Sequence, residues 1–144
     1  MSNYVLDASA ILALLNNEPG SEIVINVLTE TVISSVNLSE VIAKLADNGM
    51  SEMEVREVIS ALGLEILPFD IAMAYYAGML RPLTRSVGLS FGDRACLSLG
   101  KSLGLPILTT DRVWVDLNLG VNVQVIRENI YLEKSPKLQN FADK

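Results

Sequence analysis

The sequence predicts an α/β fold, a parallel sheet with helices on both faces, and three observations carry that reading. Short β-branched runs alternate with segments of helical period along the chain. Most of the strand-like runs are unbroken apolar stretches, as expected of strands buried on both sides. No low-complexity segment or internal repeat interrupts the alternation, and 144 residues make one domain with a sizeable core.

Tyr4, Val5 and Leu6 read as a buried strand that stops at Asp7. Residues 8–15 follow as a helix, ended by Asn16, Asn17, Pro19 and Gly20. Ser21 is expected to cap a second helix reaching about residue 29, before a strand over 31–35. Asn37 with Glu40 three residues on has the form of a capping signal, opening a helix that runs to Asn48 and Gly49. Residues 51–62 form another helix closed by Gly63, and 64–69 a strand. Asp70 caps a helix with Ile71, Ala74, Tyr75 and Gly78 at helical spacing, ended by Arg81 and Pro82. A two-glycine loop over 86–92 feeds a helix over 93–103 that Gly104 closes. A strand over 106–109, a short helix over 112–117 and a last strand over 121–126 complete the pattern. The expected domain is residues 1–127, and 128–144, rich in charge and without period, is expected to be a loosely held tail.

There is no histidine and a single cysteine, Cys96. That excludes Ser-His-Asp and Cys-His catalysis, His-ligated zinc, thiolate metal cages and an internal disulfide. An enzyme built on this chain works with carboxylates, hydroxyls, Lys or Arg, and an all-oxygen site selects hard cations such as Mg²⁺ or Mn²⁺. Half the residues are apolar and mean hydropathy is +0.36, yet no apolar run approaches the ~18 residues of a membrane-spanning helix. The start of the chain has no basic leader or cleavage pattern, so the expectation is a cytoplasmic protein without a membrane role. The apolar excess favours a protein partner.

Formal charge is −6, which argues against binding nucleic acid through a broad basic face. From Arg81 to Arg112, however, five bases meet two acids, so this window is +3 and the remainder −9. Asp7 and Asp111 each follow a strand, at the sheet edge where open α/β folds bind ligands. Glu40 and Asp93 fall in the first turns of helices, where the free N–H groups favour an anion. Each acid taken singly reads as a cap or turn former. Together, four acids at one edge would repel one another without a cation, and the small residues Ala8, Ser9 and Ala10 leave a ligand room to approach Asp7.

Four segments, 4–10 around Asp7, 35–41 around Glu40, 89–96 around Asp93 and 107–114 around Asp111, resemble the PIN-domain nucleases. Within that family they resemble the VapC-type ribonuclease toxins of bacterial toxin–antitoxin pairs. The resemblance covers roughly residues 4–127 and lies in the order and spacing of all four motifs. It implies a three-layer α/β/α fold with a five-stranded parallel sheet of order 3-2-1-4-5. It also implies a Mg²⁺- or Mn²⁺-dependent endoribonuclease that a cognate antitoxin holds inactive. Carried over by position, the family's catalytic and metal-holding acids are Asp7, Glu40, Asp93 and Asp111. Asp7 and Asp93 become direct ligands, Glu40 a completing ligand or water-orienting group, and Asp111 a holder of a second ion or its waters. Ser9, Thr109 and Asp116 are auxiliary positions, and Arg94 and Arg112 are expected to meet RNA phosphates.

The chemistry agrees with the resemblance. Hydrolysing a phosphodiester needs an activated water, in-line geometry and neutralised charge, all of which Mg²⁺ supplies in a protein lacking histidine. One Mg²⁺ against four carboxylates leaves −2 and two ions reach zero, which favours two ions with RNA bound. A haloacid-dehalogenase-like phosphatase would need Asp at position 9, which is Ser. A receiver-like phosphoacceptor domain could use Asp70 but would want a Lys after the last strand, where Ile126 and Arg127 stand. A catalytically idle PIN module that only binds partners is the remaining alternative.

Trp114 is expected to pack over the last strand, Cys96 to be buried, and one of Tyr75 and Tyr76 to face core or partner. Met50, Met53, Met73 and Met79 read as packing residues. Self-association as a homodimer is expected, together with an antitoxin helix laid along the helices at 21–29 and 51–62 and an Arg of that partner in the acidic pocket.

Overall fold

A computed structural model describes residues 2–126; the expected tail at 128–144 and the domain boundary at 127 lie outside the described residues. Five strands form one parallel sheet in the order β3-β2-β1-β4-β5, the order that the resemblance implies. They are β1 (Tyr4–Leu6), β2 (Thr31–Ser34), β3 (Glu65–Leu67), β4 (Ile107–Thr109) and β5 (Val123–Val125). Between them run α1 (Ala8–Leu15), α2 (Ser21–Val27), α3 (Ser35–Asp47), α4 (Glu52–Leu62), α5 (Ile71–Met79), α6 (Arg81–Thr84) and α7 (Phe91–Leu103).

The period of two along each strand divides the core into two layers. Leu6, Ile33 and Leu108 point to one face, where they meet Ile11, Ile23, Val24, Val41 and Val55 of α1–α4. Their neighbours Val5, Val32 and Ile107 point to the other, against Met73, Leu80, Leu97, Leu99 and Trp114. Burial on both faces is the reason these strands are unbroken apolar runs, and β1 sits at the centre with β2 and β4 on either side.

Several element ends differ from the sequence reading, each for a local reason. The helix α3 begins at Ser35, not near Asn37, because the Ser34 hydroxyl accepts the Val36 N–H and supplies the cap. This moves Glu40 from the first turn to the second and releases the Asn37 side chain to turn inward. Pro82 does not end the helical path; it stands in the first turn of α6, where a missing N–H costs nothing. The helix α7 starts at Phe91 with Ser90 as its cap, two residues earlier than expected. Gly20 rather than Ser21 caps α2, and the segment Arg112–Asp116 is a 3₁₀ helix. The flanking strands β3 and β5 are shorter than read, three residues each. Asp70 caps α5 as expected, and Ser51, read as the first residue of its helix, instead caps α4 in a reciprocal box with Glu54. Trp114 and Cys96 are buried, Tyr76 packs on the core while Tyr75 is exposed, and Met50 and Met73 pack while Met53 and Met79 do not.

Gly20 has φ of 97°, and a Cβ there would lie 2.4 Å from the Ile126 carbonyl oxygen. The α1–α2 turn is thus seated against the residue that follows β5. Gly20→Ala combines a left-handed backbone with a collision against backbone, so a loss of about 2 kcal/mol or more is expected, read as a lower melting temperature by circular dichroism.

Candidate active site

The acidic residues reach the site by three routes. Asp7 ends the central strand, its N–H donating to the Leu108 carbonyl at 3.0 Å, and is only 5% exposed. Its Oδ2 accepts the Ser9 hydroxyl at 2.6 Å and the Thr109 hydroxyl at 2.9 Å. Both donors are held in turn: Ser9 Oγ accepts the Thr110 N–H at 3.0 Å, and Thr109 Oγ1 accepts the Asp111 N–H at 3.1 Å. One carboxylate oxygen takes both hydroxyls, and the same two residues tie β1 to the turn that carries Asp111.

Asp93 is the third residue of α7 and makes a reciprocal cap with Ser90: Asp93 Oδ2 accepts the Ser90 N–H at 2.8 Å, and Ser90 Oγ accepts the Asp93 N–H at 3.2 Å. Asp111 caps its 3₁₀ helix by accepting the Val113 N–H at 3.0 Å. Glu40 comes from the second turn of α3, where the Asn37 amide donates to its Oε1 at 2.8 Å. The same amide donates to the Gly92 carbonyl at 2.9 Å, joining α3 to the start of α7. Gly92 fits because a Cβ would stand 2.2 to 2.4 Å from the Glu40 carboxylate.

These residues share one open cleft of about 710 Å³, lined by Asp7, Ser9, Glu40, Asp93 and Asp111 together with Lys44, Thr110 and Arg112. Thr109 lies beneath it, fully buried. Asp116 is exposed and lines no part of the cleft. Arg94 also does not line it: its guanidinium donates to the Ala77 carbonyl at 3.0 Å and sits over the Phe91 ring. Three contributors escaped the sequence reading. Asn37 resembled a cap, Gly92 a loop residue, and Lys44 was not singled out. The i, i+4 spacing of Glu40 and Lys44 was the available signal for the last.

Burial pushes the Asp7 carboxyl up to about 6 from its ordinary 3.8, with the charges of Asp93 and Glu40 adding and the two hydroxyls opposing. Asp93 is raised too, first by burial and then by Asp111, against Ser90 and Arg94. These mutual effects show four acids close enough to repel. Among the described residues, no three acids draw together tightly enough to hold a metal ion. Each carboxylate is instead held by its own local partner. The donor set is nonetheless all oxygen, the cost of ionising Asp7 is one that a cation offsets, and Gly92 leaves the Glu40 carboxylate its place. The residues fit a hard divalent ion.

A family model for the PIN domain matches residues 4–118. The chain belongs to the PIN domain family. None of the curated proteins matches it. Among solved structures, this PIN domain is similar to the DNA-bound VapBC of Salmonella typhimurium, at 22% identity over 87% of this chain and 98% of that one, with a TM-score of 0.69. It is also similar to VapBC2 of Rickettsia felis bound to a promoter DNA fragment, at 19% identity, 85% and 97% coverage and a TM-score of 0.69. VapBC-1 of nontypeable Haemophilus influenzae matches at 19% identity, 87% and 98% coverage and the same TM-score of 0.69. At such identities the likeness is one of fold. Among the described residues, no helix of this PIN domain is long and apolar enough to cross a membrane.

The raised Asp7 value gives the metal-free protein one pH-dependent contribution to stability. Between 3.8 and about 6 the folded state holds more protons than the unfolded one, so this group's contribution to stability is full below 3.8 and is lost as pH rises through about 6. The loss is on the order of 3 kcal/mol. Asp7→Asn removes it. In EDTA, the melting temperature of Asp7→Asn relative to the unsubstituted chain should therefore rise between pH 4 and 6.5, and a constant difference across that window would contradict the assignment.

Proposed function

We propose that this PIN domain is a divalent-metal-dependent endoribonuclease, the toxin of a toxin–antitoxin pair that a protein antitoxin holds inactive. The observation that carries the nuclease reading is the meeting of Asp7, Glu40, Asp93 and Asp111 in one cleft at the carboxyl edge of the sheet. The family adds support, since PIN domains are as a rule nucleases. Its structural neighbours are VapBC complexes, which supports the toxin role and a protein partner.

Asp7 and Asp93 would hold Mg²⁺ or Mn²⁺, with Glu40 and Asp111 completing the set. When bound, the ion activates water and neutralises charge on the phosphodiester under attack. The chain's own residues do the rest. Ser9 and Thr109 fix the Asp7 carboxylate through Oδ2 at the cleft wall. Lys44 on α3 and Arg112 beyond β4 give the acidic cleft its two bases, placed to meet phosphates of an RNA strand.

Melting scans with Mg²⁺, Mn²⁺ and EDTA should show stabilisation by either ion, of roughly 2.7 kcal/mol at ~100 times the dissociation constant. Asp93→Asn keeps the cap with Ser90 but removes an anionic ligand, so cleavage of single-stranded RNA should fall at least about a hundredfold, ~3 kcal/mol of barrier, while the metal-free fold holds. An Asp93→Asn protein as active as the unsubstituted chain would overturn the site.

We further propose that the chain forms a homodimer through α5 and α6. Ile71, Tyr75, Met79 and Leu83, four residues apart, are 78%, 74%, 70% and 67% exposed, an apolar stripe of a kind that a monomer seldom shows. Asp70 stands at one end and Arg81 and Arg85 at the other, so two copies laid antiparallel bring acid against base. Light scattering should show a dimer that Tyr75→Glu with Met79→Glu converts to monomer. A monomer at high micromolar concentration before substitution would remove the proposal.

A further inference from the structure

Asn37 is fully buried and makes no part of the cleft wall, yet its amide nitrogen serves the site with both of its hydrogens. One goes to Glu40 Oε1 at 2.8 Å, the other to the Gly92 carbonyl at 2.9 Å, one residue before Asp93. Opposite this pair, the missing side chain of Gly92 makes the space in which the Glu40 carboxylate sits, since a Cβ there would lie 2.4 Å from Oε1 and 2.2 Å from Oε2. Glu40 is thus gripped between an amide from its own helix and the bare backbone of α7. We infer that Asn37 and Gly92 form a positioning latch that sets the Glu40 carboxylate in the acidic cleft for cation binding, an inference that rests on the metal-site reading above.

Two features separate a latch from ordinary packing. The Asn37 Oδ1 is buried with no hydrogen-bond donor, a cost that an apolar side chain of like size would avoid. A residue kept only to join α3 to α7 would gain by being Leu. In addition, Glu40 is exposed in the second turn of its helix, where a long side chain keeps its rotamer freedom unless something holds it. Asn37 holds it at the carboxylate, the atoms that matter for a cation.

The test is Mn²⁺ titration by calorimetry, without RNA, in a double-mutant cycle. Asn37→Leu should weaken Mn²⁺ binding about tenfold or more while the metal-free melting temperature holds or rises. In a Glu40→Ala background, already weakened, Asn37→Leu should cost nothing further, because its effect passes through that carboxylate. Equal losses in both backgrounds, or no loss in either, would overturn the latch. Gly92→Ala tests the other jaw independently should Asn37→Leu fail to fold: it should cost as much with Glu40 present and nothing in the Glu40→Ala background, and an equal loss in both would again overturn it. Absence of Mn²⁺ binding by the unsubstituted chain would instead remove the metal-site reading on which the latch depends.

Discussion

A carboxylate buried at the end of the central strand is the constraint from which the rest of this site follows. Asp7 is deprived of water by its position between β2 and β4, and its ionised form is opposed by two further acids. Parallel pairing of Leu6 with Leu108 places Thr109 level with Asp7, and the helix start at Ala8 brings Ser9 back over the same carboxylate. The hydroxyls offset part of the desolvation, though the raised value of Asp7 shows that burial wins. The strand end therefore holds its acid in a state that a cation improves.

Capping and catalysis are not competing readings of these acids. The Asp93 side chain completes a capping box and the Asp111 side chain caps its 3₁₀ helix, yet both line the cleft. The cap fixes the side chain's direction, and the parallel sheet aims the helix starts at one edge. Local hydrogen bonds keep four like charges facing each other at a distance, where free side chains would swing away. The same bonds explain why the carboxylates stop short of metal-holding geometry among the described residues.

The fold and the acids were legible because each is written locally. Unbroken apolar runs mark buried strands; Asp7 stands directly after one of them and Asp111 two residues after another. What was not legible depends on contacts across the chain. Nothing near Asn37 says that its partner is Gly92, 55 residues away, and with Ser34 and Ser35 both able to cap, the local signal favoured the wrong start for α3. Pro82 misled for a related reason, since proline both ends helices and begins them, and here it stands in the first turn of α6, just after the buried Leu80. Arg94 was expected at the cleft from its place beside Asp93. Its helix turns it instead toward the Ala77 carbonyl on α5.

Charge illustrates the same limit. The +3 window from Arg81 to Arg112 suggests one basic surface, but the fold disperses it. Arg81 and Arg85 stand at the end of the apolar stripe, Arg94 turns to α5, and Lys101 lies within 3.0 Å of where a Cβ on Gly120 would stand. Only Arg112 reaches the cleft, and the second base there, Lys44, comes from the acidic remainder of the chain. Four carboxylates with two bases leave the cleft negative without a cation, so its own field repels a phosphate backbone. An anionic ligand could approach Asp7 and its neighbours only with that charge offset, so the acids that give the cleft its shape also set the terms on which it can be entered.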